Sequence, residues 1–147
     1  MCFLLYAGTT KPLPRRQWQK DAPALSVVTL TVRDVPIKAH FSKPEVQYIG
    51  STSGCGCDFP NLYLQNGEWP RFEVENDAES DARDRYNRES LVALLRKSGE
   101  KAVELYGVWD RDFAKMPQGR EDLSLRRILD SDFLFKDQCF YLVRDLA

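Results

Sequence analysis

Apolar residues fall at both parities from Cys2 to Ala7, which predicts a first strand covered on both faces and central in its sheet. From Leu25 to Val32 the pattern alternates. Val28, Leu30 and Val32 share one side with Ser26, and Thr29 and Thr31 lie on the other, as in a half-buried strand. Asp34-Val35-Pro36 opens a short helix through Phe41, with proline near its start, where the missing N–H costs nothing. Pro44 ends that helix and turns the chain into a strand from Val46 to Ile49. Leu62 to Leu64 adds a short strand, Asn66-Gly67 a turn, and Trp69 and Phe72 beside Pro70 cover for the core.

A long helix follows. Asn76 with Glu79 forms a capping box, and Asp77, Glu79 and Asp81 at the start complement Arg96 and Lys97 at the end. Gly99 supplies the stop. Ala78, Ala82, Tyr86, Leu91, Leu94 and Leu95 read as its buried side. The pairs Glu79–Arg83, Asp81–Arg85 and Asp84–Arg88 read as a solvated face. Lys101 to Trp109 is a strand, reached by a helical crossover from the Val46–Ile49 strand to a parallel neighbour. Asp110 to Gly119 is a polar loop, Ser124 to Asp130 a short helix, and Gln138 to Arg144 a closing strand. This order predicts a single domain over residues 1–147. Its class is α+β, or α/β, with a mixed sheet of about five strands, one long helix and one or two short helices.

Composition narrows the function classes. The chain has 147 residues, 43% hydrophobic and 29% charged, as in an ordinary globular domain with a core of its own. A net charge of -1 gives no reason to expect nucleic acid or an anionic membrane, and leaves a protein partner open. No apolar run nears the ~20 residues that span a bilayer. The apolar start lacks the basic stretch of a signal peptide, so the cytoplasm is the expected compartment. Lys11, Arg15, Arg16 and Lys20 make the loop from Gly8 to Pro23 basic. No aromatic ladder accompanies them, and they read as solvated surface, with Trp18 an anchor onto the sheet.

The candidate chemistry lies in the Gly- and Ser-rich loop after Ile49, where Gly54-Cys55-Gly56-Cys57 carries two thiols one residue apart. In a reducing compartment such a pair points to metal binding or redox work, with zinc the metal it suggests. The C-x-C spacing is shorter than the usual C-x₂₋₄-C, and further ligands would have to come from His40, Cys2, Cys139 or Asp58. A strained reversible disulfide and a single activated nucleophile are the other chemical uses. The competing class is a non-enzymatic interaction module in which the loop is a structural turn. Cys2 and Cys139 alternate with large apolar neighbours, so both are expected buried in the sheet and unbridged to the loop. His40, the only histidine, is expected far from the thiols, because the strand between them covers roughly 13 Å. Asp110 and Asp112 follow a strand, where active-site carboxylates often sit, but with no partner identifiable in sequence a loop turn explains them better. Gly54 and Gly56 lack a Cβ, so both can take positive φ and close the turn tightly.

Met1-Cys2-Phe3-Leu4-Leu5-Tyr6-Ala7-Gly8-Thr9, Lys11-Pro12-Leu13-Pro14 and Tyr48-Ile49-Gly50-Ser51 with Gly54-Cys55-Gly56-Cys57 resemble a family of small uncharacterised bacterial proteins. The resemblance covers most of the chain and carries no activity with it. Met1-Cys2 is also similar to the start of amidotransferases with an N-terminal nucleophile, whose four-layer fold needs a longer chain. Tyr48-Ile49-Gly50 with Tyr6-Ala7-Gly8 is similar to the GIY-YIG nucleases. Here those motifs lie about forty residues apart, and no arginine follows Tyr48 before Arg71.

Overall fold

The computed structural model describes residues 2–62 and 78–147. The strands are β1 (Phe3–Thr9), β2 (Ser26–Thr29), β3 (Glu45–Gly50), β4 (Asn61–Leu62), β5 (Val103–Trp109), β6 (Gly119–Ser124), β7 (Phe135–Lys136) and β8 (Cys139–Arg144). The long helix is α1 (Ala78–Lys97), and short 3-10 turns cover Val35–His40, Gly56–Asp58 and Leu125–Leu129. The main sheet runs β2-β3-β1-β5-β8-β6, and β4 and β7 form a small parallel pair beside it. Every neighbouring pair in the main sheet is antiparallel except β6 with β8. The architecture is α+β, with a mixed sheet.

The first strand is central and covered on both faces. Its odd positions, Phe3, Leu5 and Ala7, join Ile49, Leu105, Tyr141 and Val143 in a core closed by Leu91, Val92 and Leu95 of α1 and by Leu125 and Ile128. Its even side, with Tyr6, joins Tyr106, Val108 and Phe140 in a second core closed by Ile37 and Phe113. Each fully buried side chain of this size is worth ~1.5–3 kcal/mol, which explains why strand positions of both parities are apolar.

Several expectations are corrected. The helical crossover does lead from β3 to a parallel strand, but β1 lies between them, antiparallel to both, so β3 and β5 are not neighbours. The sheet has six strands because β6 joins it at an edge. Only Leu123 of β6 is buried, so no apolar alternation marked it. β2 ends at Thr29; Val27 is in the core and Val32 is fully open to solvent.

On α1, Ala78, Ala82 and Tyr86 are exposed, and the buried face is Asn87, Arg88, Leu91, Val92 and Leu95. Arg88 is not on a solvated face. Its guanidinium donates to the carbonyls of Ile128 (3.0 Å), Asp130 (2.5 Å) and Ser131 (3.5 Å) and pairs with Asp84 at 2.7 Å. It thereby satisfies the carbonyls that end the Leu125–Leu129 turn. Asn76, Asp77, the Asn66-Gly67 turn, Trp69 and Phe72 lie outside the described residues. Among the described residues, no helix is long and apolar enough to cross a membrane.

Candidate metal centre

Antiparallel pairing of β1 with β3, in the register Leu5 opposite Ile49 and Ala7 opposite Gln47, sets the end of β3 beside the start of β1. The loop that leaves Gly50 therefore meets Cys2. Cys2 is half-buried just ahead of β1, its carbonyl held by the Asp110 amide at 2.9 Å, and it is not buried within the sheet as expected. The Sγ atoms of Cys2, Cys55 and Cys57 all lie within 4.8 Å of one another. None of the cysteines is in a disulfide.

The loop is built to hold this arrangement. Ser51 takes the Cys55 carbonyl from both its amide (2.8 Å) and its hydroxyl, and the Gly54 amide returns to the Ser51 carbonyl at 2.9 Å. Gly54 sits at φ +93, where a glycine avoids the strain of a Cβ. Cys55 is extended, and a 3-10 turn then begins at Gly56, which swings the Cys57 amide to 3.4 Å from the Cys55 Sγ. That bend converges two side chains that would sit about 7 Å apart on a straight strand.

Gly56 does not use positive φ. It is glycine because it lies on β1: a Cβ there would stand 2.3 Å from the Phe3 carbonyl oxygen and 3.3 Å from the Leu4 Cα. Phe59 plugs the core beyond the turn, and Asn87 of α1 accepts from the Thr52 amide at 3.0 Å. Trp18 anchors onto this loop, not onto the sheet. Its indole donates to the Thr52 carbonyl at 2.9 Å, and its ring covers Gly54.

Electrostatics separate the thiols. Burial pushes Cys55 up, but the Cys57 amide, the Ser53 hydroxyl 3.6 Å away and the neighbouring thiols together bring it below its ordinary value. Cys57 is pushed up to about 12 by burial and by its bond to Cys55, against a smaller opposing pull from the Phe3 backbone. One negative charge in the cluster disfavours a second. The Tyr48 hydroxyl is raised as well, by burial first and then by the three cysteines.

Ligation by three thiolates would reverse this repulsion. A tetrahedral ion with Zn–S bonds of ~2.3 Å spaces its sulfurs about 3.8 Å apart. Drawing the three together by about 1 Å or less would reach that spacing.

No family model, curated protein or solved structure matches the chain. The site is thus known by its own residues alone, and the other candidates stand apart from it. His40 Nε2 is 2.9 Å from the Phe113 carbonyl and outside the cluster. Cys139 is buried and its S–H donates to Glu121 at 3.2 Å; burial and that carboxylate push it up to about 12. Asp110 is clamped by Arg33 at 2.5 and 2.6 Å, and Asp112 pairs with Lys115 at 3.1 Å. Asp58 adjoins Cys57 in sequence but is not part of the sulfur cluster, and one of its carboxylate oxygens is buried with no hydrogen-bond partner among the described residues.

Proposed function

We propose that this protein binds a soft metal ion, zinc first among them, through the thiolates of Cys2, Cys55 and Cys57. The observation that supports this reading is the convergence of three sulfurs from two segments about fifty residues apart within 4.8 Å. Thiolate is the ligand that selects zinc or monovalent copper over calcium or magnesium. The second loop cysteine then has a use, and the glycines between and before the thiols have one too. The reading takes the cytoplasm as the setting, where the thiols stay reduced.

A thiol-redox use of the same cluster is the second reading. It is favoured by the donors that stabilise a Cys55 thiolate beside the exposed Cys57. Elemental analysis of the purified protein, with thiol counting, separates the two. The metal reading expects one equivalent of metal, lost in Cys2→Ser, Cys55→Ser and Cys57→Ser alike, because ligands of one ion act as a unit. Metal-free protein with thiols that cycle with a disulfide standard supports the redox reading. Metal-free protein with inert thiols would leave the loop as a structural turn.

A further inference from the structure

We propose that the fourth ligand of this centre is a small-molecule thiol from solution, bound as its thiolate. The proposal rests on the metal reading above and names the ligand that the site accepts. Structural zinc sites close with four protein ligands, whereas sites that act on a substrate keep three and leave one position open. Here the group that could hold a metal stops at three among the described residues. Asp58, His40, Cys139 and Asp110 all lie outside that group, so none of them supplies a fourth donor in this arrangement.

Among the described residues, the open side has room. Cys57 is the exposed member of the cluster, and it also lines a cleft of about 690 Å³ with Asp58, Asn61, Arg83 and Trp109. That volume is in the range of small-molecule sites. The donor set then chooses the ligand. Three thiolates bring a divalent ion to a net single negative charge, which weakens it as a Lewis acid towards oxygen substrates. The same soft set is matched by another sulfur.

The step balances. Water leaves the metal, the sulfur–metal bond forms, the thiol proton passes to solvent, and no electron changes hands. A thiol on such an ion is deprotonated outright at neutral pH.

The test uses the full chain loaded with Co²⁺, whose sulfur-to-metal charge-transfer band reports the number of thiolates. Addition of 2-mercaptoethanol at concentrations that leave the cobalt bound should intensify that band saturably, by about a third for one sulfur joining three. Imidazole at the same concentrations should not compete for the position. A band that thiol leaves unchanged, cobalt stripped without a ternary spectrum, or equal occupancy by imidazole would overturn the proposal. A chain that shows no sulfur-to-cobalt band before thiol is added would overturn the metal reading itself, which keeps the two failures distinguishable.

Discussion

Gly56→Ala is the smallest change that tests how the loop is held. The added Cβ would stand 2.3 Å from the Phe3 carbonyl oxygen and 3.1 Å from its carbonyl carbon. These are backbone atoms of β1, which pairs with β5 from Phe3 onward and with β3 from Leu5 onward, so the strand has little freedom to give. Relief comes by lifting the loop, which carries Cys55 and Cys57 away from Cys2. Forcing one methyl into packed surroundings costs about 1–3 kcal/mol. If the loop must be pressed back for the three sulfurs to share an ion, that strain appears as a loss of metal affinity of about 10–100-fold.

The assay is competition for zinc against a chelating indicator, with far-UV circular dichroism to show that the sheet persists. Gly99→Ala is the control. It lies at φ +72 with nothing among the described residues within 4 Å of its added Cβ, so it should lower stability by roughly 1 kcal/mol and leave metal affinity alone. Wild-type affinity and wild-type stability in Gly56→Ala would refute the reasoning.

Arg88→Met should destabilise the domain by about 2–4 kcal/mol, because the carbonyls of Ile128, Asp130 and Ser131 lose a buried donor. Chemical denaturation measures it, and a change within about 0.5 kcal/mol would count against the role assigned to this arginine. Cys139 gives a pH dependence. Its raised value means that the folded chain holds the thiol proton more tightly, so this stabilisation is full below the ordinary value of 9.0 and is lost as pH climbs towards about 12. Relative to Cys139→Ala, the wild type should therefore lose on the order of 1–2 kcal/mol between about pH 8 and about pH 10.5. Parallel stability curves for the two proteins would contradict the burial argument.

Patterns that act locally were legible in the sequence. The doubly apolar run at the start gave the central strand, the Pro44 break gave the beginning of β3, and the end charges of Arg96 and Lys97 with Gly99 gave the end of α1. Two kinds of information were not. Edge strand β6 is Gly-Arg-Glu-Asp-Leu-Ser, held by hydrogen bonds to β8, and its composition resembles a loop. Arg88 looks like any surface arginine until the Leu125–Leu129 turn is placed beside it.

The site divides along the same line. Cys55 and Cys57 announced themselves by the glycines around them. Cys2 was only one of four possible further ligands and was expected buried, because its neighbours read as strand; the antiparallel register of β1 with β3 is what brings it to the loop. Gly56 was read through the wrong property of glycine: what matters there is the missing Cβ against β1, while the positive φ belongs to Gly54.

The central claim is that Cys2 shares an ion with the loop cysteines, and alkylation mapped by mass spectrometry, with and without zinc, tests it most directly. In the metal-free protein, iodoacetamide should reach Cys2, Cys55 and Cys57 and spare buried Cys139. One equivalent of zinc should protect Cys2, Cys55 and Cys57 together, each to the same extent. Protection of Cys55 and Cys57 with Cys2 labelled as fast as before, or no protection of any of them, would contradict the account.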